Sequence, residues 1–294
     1  MTVQWVLVDT EEKLKSSMED AGHSPLIGLD TEYDSFRYFR EKLCLIQIST
    51  RETIYLYDPL GPLDFSCLGD IFTNQAITKI IHAAGNDIRF LKRDYGFEFH
   101  TIFDTHKAAS LLGTVSLSLP SVIGEYLNIE ITKAKKLQRS RWDIRPLSEE
   151  QLDYAARDTH YLIALYHAIE ERLAQEGLTD TARQAFAGIA ASRWTEKAFD
   201  PEGYLKIKGC EDLTDIQKGR LRALHRWRFE KARAINRARF MILSNQQMLA
   251  LSQEEDLSLE SLNESDILAR RPLNEWGREI VTIVTQPSHE VPKE

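Results

Sequence analysis

Over the first two-thirds of the chain, short apolar runs alternate with stretches of helical periodicity. Over the last third the apolar positions recur at helical offsets alone. "VQWVLVD" reads as a strand, followed by "TEEKLKSSMEDAG" as a short helix with Thr10 at its N-cap. "PLIGLDTEY", "KLCLIQIST" and "ETIYLYD" are three strands separated by short breaks, an arrangement that predicts antiparallel neighbours. "AITKIIHAA" is a further strand, leading into the helix "NDIRFLKRDYG", which Gly96 ends. After "TIFDTHKAASLLG" and "LPSVIGEYLN", one long helix starts at Ser148, where Ser148 and Gln151 have the spacing of a capping box. "TDTARQAFAGIAASRW" adds another helix. Adjacent strands followed by strand–helix alternation predict an α/β domain, a mixed sheet flanked by helices.

The periodicity lapses over residues 197–213, where Pro and Gly appear. The expected organisation is an α/β domain over 1–195, a linker over 196–212 and an all-helical domain over 213–285, with "QPSHEVPKE" as a loose tail. In the first helix of the second domain, Ile216, Ala223, Leu224, Trp227 and Ala234 fall on one predicted core face.

With 294 residues the chain is long enough for two domains with substantial cores. Its 43% hydrophobic and 28% charged content is that of an ordinary globular protein. No apolar run approaches the roughly 18–20 residues of a membrane span, and the first residues carry no basic, apolar signal sequence. Cys44, Cys67 and Cys210 lie far apart, which excludes a short-spaced zinc or redox motif and suits a reducing compartment. Cytoplasm is the expected location. The net charge of −8 weighs against a nucleic-acid partner, but it conceals a strong local asymmetry.

The chemistry begins at Asp30 and Glu32, at the end of the apolar strand "LIGLDTEY". Side chains two apart on a strand share a face, so the two carboxylates repel and raise each other's pKa. A divalent cation or a cluster of Arg and Lys would compensate them; a strand end frayed into a polar loop would need neither. Asp87 opens the helix after "KIIHAAG", where the macrodipole alone would favour it. Tyr154 and Asp158 are four apart on a helix and can address one point. Asp is a poor helix former, and pairing with Arg157 is the plain alternative for Asp158, as core packing is for Tyr154.

Taken together, "GLDTEYDSFRYFREKLCLIQIS", "KIIHAAGNDIRFLKRDYG" and "RPLSEEQLDYAARDTHYL" resemble, in order, the three blocks of the ribonuclease D family. These are exonucleases with four acidic residues and a tyrosine on a ribonuclease H-like fold, and the likeness covers roughly residues 1–175. The resemblance implies that Asp30, Glu32, Asp87 and Asp158 hold two divalent ions, Mg²⁺ or Mn²⁺, with Asp30 bridging them. It implies that Tyr154 orients the attacking water. Two hard cations about 3.5–4 Å apart suit in-line phosphodiester hydrolysis, and carboxylates are their preferred ligands. A sister branch carries a His five residues before the last acid; Asp153 stands there in this chain, so the tyrosine branch fits better. His82 and Asp104 also match family residues; a satisfied core histidine is the plainer account of His82 than a metal ligand, and a local cap accounts for Asp104 at least as well as a substrate contact. Gln47 would line the site or pair with backbone, and Tyr33 and Phe90 would stack on terminal bases or pack in the core.

Between Lys133 and Arg145, six basic residues face one acid, Asp143. Lys133, Lys136, Arg139 and Arg141 there are candidate phosphate contacts, against the plain account of a solvated basic loop. Between Lys218 and Arg239, nine basic residues face Glu230 alone, and Arg226 and Arg228 are further candidates. "LRALHRWRFEKARAINRARFMILSNQQMLALS" resembles the HRDC domain, the small helical domain named after helicase and ribonuclease D C-termini. It departs at "NRARF" and in the absent proline after the second helix. From Met241 onward ten acids face four basic residues, so overall acidity leaves room for a basic binding face.

The resemblance implies a 3′-5′ exoribonuclease releasing nucleoside 5′-monophosphates from RNA 3′ ends, such as those of tRNA precursors. A monomer is expected. A DNA-directed 3′-5′ exonuclease and a non-catalytic nucleic-acid-binding protein are the alternatives. The second is disfavoured because all four acids and the tyrosine are present.

Overall fold

Six strands form one mixed sheet in the order β1-β4-β3-β2-β5-β6. They are β1 (Trp5–Val8), β2 (Leu26–Asp34), β3 (Lys42–Ser49), β4 (Ile54–Tyr57), β5 (Thr78–Ile81) and β6 (Ile102–Asp104). The computed structural model describes residues 4–131 and 135–286. β2, β3 and β4 run antiparallel as expected, while β1 joins β4, and β5 joins β2 and β6, in parallel. The helices around the sheet are α1 (Glu11–His23), α2 (Leu68–Thr73), α3 (Gly85–Tyr95), α4 (Thr105–Leu111) and α5 (Leu119–Leu127). They continue as α6 (Lys135–Gln138), α7 (Glu149–His160), α8 (Leu162–Gln175) and α9 (Thr179–Ala191).

Strand alternation sorts the sheet into two faces. Ile27, Leu29, Ile46, Ile48, Tyr55 and Tyr57 enter the main core with residues of α1, α2 and α3. On the other face Leu45, Ile54 and Leu56 pack with Trp142 and with Leu152, Ala155 and Ala156 of α7. Asp30 and Glu32 belong to this second face, in register with Gln47 and Leu45 of β3, and a bulge follows Glu32. The strand therefore continues through both acids and does not fray before them.

Local signals set most helix ends. Thr10 caps α1, the Ser148–Gln151 capping box starts α7, and Gly96 ends α3 with a left-handed φ of 70°. The single long helix expected from Ser148 is two helices, α7 and α8, broken at Tyr161. Its junction rests on Gly28 of β2. A Cβ there would collide with Ser49 Oγ and stand 3.1 Å from the Thr159 carbonyl and 3.2 Å from Leu162 Cβ. Ser49 donates to the same carbonyl at 3.1 Å. Only glycine lets the helix junction approach β2 so closely.

The chain divides into two compact units, residues 1–34 with 42–195, and residues 35–41 with 196–294. The second unit holds α10 (Asp215–Ala234), α11 (Arg239–Ile242), α12 (Asn245–Gln253), α13 (Leu259–Glu264) and α14 (Arg270–Thr285). Residues 196–212, expected as a linker, are part of this unit. They form 3₁₀ turns at Gly203–Lys206 and Cys210–Asp212, and Ile207 and Cys210 are buried in its core. The β2–β3 connection also belongs to it: Phe39 is buried against Phe229 at 5.1 Å between ring centroids, and Ala238 N–H donates to the Arg37 carbonyl at 2.9 Å. The buried face of α10 is Leu221, Leu224, His225, Arg228, Phe229 and Ala232. Ile216 is 67% exposed and Ala234 is exposed, which corrects the face read from periodicity. No helix among the described residues is long and apolar enough to cross a membrane.

Candidate active site

Three elements converge on the second face of the sheet at the C-terminal half of β2, beyond its pairing with β5. β2 supplies Asp30 and Glu32, the first turn of α3 supplies Asp87, and α7 supplies Tyr154 and Asp158. The contact of the α7–α8 junction with Gly28 explains the alignment. Gly28 lies two residues before Asp30 on one strand face, and Asp158 lies one residue before Thr159, whose carbonyl meets Gly28.

α7 is pinned from several directions. Trp5 Nε1 donates to Asp153 Oδ1 at 2.7 Å. Asp153, which stands at the sister branch's histidine position, thus has a structural partner. The Trp142 ring lies 6.0 Å from that of Tyr154. Arg145 grips Asp58 with two hydrogen bonds, at 2.5 and 2.6 Å, and donates to the Cys44 and Trp142 carbonyls, both at 2.7 Å. Arg145 is therefore spent on holding the lead-in to α7.

Asp87 is placed by a different device. Asp104 accepts from Ala83 N and Ala84 N, both at 3.0 Å, and from His106 N and Lys107 N at 2.9 and 3.1 Å. It thereby fixes the turn into α3, where Ala83 has a left-handed φ of 61°, and caps α4 as well. Asp104 is a cap, as the plain account had it. Asp87 itself accepts a hydrogen bond from Thr31 of β2.

The electrostatics are those of acids crowded with no ion-pair partner among the described residues. Burial, followed by the charges of Asp87 and Asp158, raises Asp30 well above the usual carboxylate range. Burial, then Asp30, Asp158 and Asp87, does the same to Glu32. Burial lifts Asp87 to about 6 against the Thr31 hydrogen bond, and lifts Asp158 to about 7 against a hydrogen bond from Tyr154. Burial and the neighbouring carboxylates push the Tyr154 phenol far up, so it stays protonated and acts as a donor.

Asp30 and Glu32 thus feel the charges of both Asp87 and Asp158, and Tyr154 feels those of Asp158, Glu32 and Asp30. As the side chains stand, no group of three His, Cys, Asp or Glu among the described residues closes on one ion. The donor set nevertheless fits hard divalent cations: four carboxylates of one sign, none of them in an ion pair among the described residues. Gln47 adds a second observation. It is fully buried opposite Asp30, and neither its Oε1 nor its Nε2 has a partner, which calls for a polar occupant beside it.

Other sequence candidates fall outside this group. His82 Nε2 donates to the Leu117 carbonyl at 3.0 Å and Nδ1 accepts from the Thr105 hydroxyl at 2.9 Å, so neither nitrogen is left for a metal. Tyr33 and Phe90 pack on each other at 4.7 Å. Lys133 lies outside the described residues. Lys136 and Arg139 are exposed, and Arg141 is bound to Asp143 at 2.7 and 2.9 Å. In the second unit, Arg226 stands over the Phe199 ring at 5.0 Å and Arg228 is buried.

Comparison with known proteins agrees with the fold. The family described as 3′-5′ exonuclease matches residues 5–174, and the HRDC domain matches residues 217–284. The chain is 33% identical over 255 residues to "Exosome complex component 10 homolog" of Drosophila melanogaster, covering 84% of this chain and 28% of that protein. It is 29% identical over 279 residues to "Ribonuclease D" of Shewanella sp. (strain ANA-3), covering 94% of this chain and 71% of that one. Among solved structures, the catalytic core of RRP6 from Trypanosoma brucei shares the fold with a TM-score of 0.85 at 23% identity, covering 97% of this chain and 80% of that one. Escherichia coli RNase D, described as an exoribonuclease involved in structured RNA processing, gives 0.70 at 26% identity over 97% of this chain and 75% of that one. Brucella melitensis NrnC with bound Mg²⁺ gives 0.56 at 25% identity over 73% of this chain and 98% of that one. The chain spans only 28% of the length of the exosome-component relative. With a match reaching from residue 5 to residue 174, more than half of its 294 residues, this chain belongs to the 3′-5′ exonuclease family.

Proposed function

We propose that this protein is a metal-dependent 3′-5′ exoribonuclease that shortens RNA from its 3′ end and releases nucleoside 5′-monophosphates. The observation that carries the reading is the uncompensated set Asp30, Glu32, Asp87 and Asp158, each with its proton affinity raised by burial among the others. In this reading the four carboxylates hold two divalent ions, Mg²⁺ or Mn²⁺. Bound there, such ions supply positive charge to the attacking water and to the departing 3′ oxygen. Tyr154, kept protonated, positions the water by hydrogen bonding and takes no proton from it. Asp104, Thr31 and the Gly28 contact keep the carboxylates in place while the strand end enters.

RNA is favoured over DNA because relatives named for ribonuclease D and an exosome component align along 94% and 84% of this two-domain chain. Structured precursors such as tRNA 3′ ends are the proposed substrates, gripped in part by Lys133, Lys136, Arg139, Arg141, Arg226 and Arg228. A cytoplasmic monomer is proposed; the three free cysteines, two of them buried, suit a reducing compartment. The test is digestion of matched single-stranded RNA and DNA, each with and without a 3′ block, in Mn²⁺. Stepwise shortening of unblocked RNA alone is expected. Equal digestion of DNA would move the assignment to a DNA-directed exonuclease, and no digestion of either to a binding protein.

A further inference from the structure

The second unit contains a cavity of about 650 Å³, within the roughly 300–1,000 Å³ range of small-ligand pockets. Its walls come from the β2–β3 connection, from residues 197–207, from α10 and from the segment around α11. Four cationic side chains line it: Lys197, Lys206, Arg228 and Arg239. Two are matched, Lys197 with Glu41 at 2.7 Å and Lys206 with Asp200 at 2.7 Å. The two arginines are not.

Arg228 is only 6% exposed, and its Nη1 donates to the Leu243 carbonyl and to Asn245 Oδ1, both at 2.9 Å. Both acceptors are neutral, and Nε has no partner. Arg239 makes no ion pair among the described residues, and burial, followed by the Arg239 charge, draws Arg228 down to about 10. Beside Arg228 on the same face of α10 lies His225, 4% exposed, with Nδ1 unpartnered. Burying a guanidinium without a carboxylate is costly, since desolvation is not repaid by an opposite charge. The one carboxylate among the lining residues, Asp200, is taken by Lys206, so Arg228 and Arg239 face the cavity without an anion of their own among the described residues.

Aromatic rings stand at the same cavity. Phe36 and Phe240 are 66% and 49% exposed, with ring centroids 4.9 Å apart. Large apolar rings held at the rim of a cationic cavity suit a planar base, because base–aromatic stacking contributes about 1–3 kcal/mol per base. A bare inorganic anion would leave those rings unused, and an apolar ligand would leave the arginines unmatched.

We infer that this cavity is a nucleotide site separate from the carboxylate centre, with a phosphate held by Arg228 and Arg239 and a base stacked on Phe36 and Phe240. The inference deepens the proposed function and rests on it only for the choice of nucleic acid. The shared chemistry is a nucleoside phosphate, whether a free mononucleotide or one unit of an RNA strand.

The test measures binding by the full chain in EDTA, where cleavage plays no part, so its failure is distinct from failure of the exonuclease reading. AMP, adenosine and a 5′-labelled oligoadenylate are titrated into wild type, Arg239→Gln and Phe240→Ala. Both substituted residues are exposed, so these variants test the site without opening the core, whereas Arg228→Gln is included only with a matching melting curve. AMP is expected to bind at least tenfold more tightly than adenosine, and each substitution is expected to weaken phosphate-bearing probes by about tenfold, the scale of one lost stacking or charge contact. AMP binding as tightly as the strand assigns the site to free nucleotide; a much tighter strand that AMP displaces assigns it to RNA. If both probes bind both variants like wild type, or adenosine binds as well as AMP, the inference is wrong.

Discussion

Gln47 lies directly across from Asp30 in the antiparallel register of β2 and β3, fully buried, with neither atom of its amide partnered among the described residues. An orphaned buried amide lowers the stability of the empty fold, so its presence is explained by what enters the site. Gln47→Leu removes the unsatisfied group at nearly constant volume. The fold is expected to gain up to about 1–3 kcal/mol in urea unfolding without metal. Cleavage is expected to fall about tenfold or more through loss of positioning. A less stable variant that cleaves at the wild-type rate would remove Gln47 from the account.

Gly28→Ala tests the contact that aligns α7. The added methyl would collide with Ser49 Oγ, which donates to the Thr159 carbonyl, and would stand 3.1–3.2 Å from that carbonyl and from Leu162 Cβ. Overpacking of this kind costs about 1–3 kcal/mol. The cleavage rate should drop by more than the unfolding loss accounts for at a temperature where the variant remains folded, because Asp158 rides on the displaced helix.

Asp104→Asn leaves one oxygen to serve the four N–H groups that now share a carboxylate. A loss of about 1–3 kcal/mol is expected from charge-assisted bonds of this type. The turn at Ala83 loosens with it, and Asp87 with the turn, so kcat should fall while KM for RNA changes little. An unchanged kcat would confine Asp104 to capping.

The pH dependence of stability is expected to carry the signature of His82. Burial lowers its pKa from 6.5 to about 4, with Asp104 opposing and His106 adding to the effect. The unfolded chain therefore takes up a proton below 6.5 that the folded chain refuses until about 4. Stability from this group is complete above 6.5 and is lost as pH falls toward 4, by at most about 3 kcal/mol. Urea midpoints for wild type should fall more steeply between pH 7 and 5 than those of His82→Gln; parallel curves would show that the imidazole is not the titrating group.

Much of the site was legible in the chain because it is written locally. The D-x-E pair sits in a strand whose apolar residues are contiguous, the i, i+4 pair of Tyr154 and Asp158 follows a capping box, and Gly96 marks the end of α3. What was not legible depends on distant partners. The break at Tyr161 interrupts an unbroken helical pattern, and only the approach to Gly28 explains it. The departure of residues 35–41 into the second unit was signalled by Phe36, Tyr38 and Phe39 in a connection, but their partner Phe229 lies far along the chain. Arg228 reads as a surface cation among many, yet the Leu243 carbonyl and Asn245 allow it to be buried. The exposed Ile216 and Ala234 show the same limit, since a helix with basic residues on most sides has no sharp apolar face to read.

The central claim is that Asp30, Glu32, Asp87 and Asp158 form one divalent-cation site. It is tested most directly by calorimetric titration of Mn²⁺ into the metal-free chain, beside Asp30→Asn, with the melting temperature followed in parallel. Wild type should bind close to two ions and melt higher with saturating metal, while Asp30→Asn should lose at least one ion and most of the rise. Equal binding and equal stabilisation in the two proteins would contradict the assignment of these carboxylates to the metal.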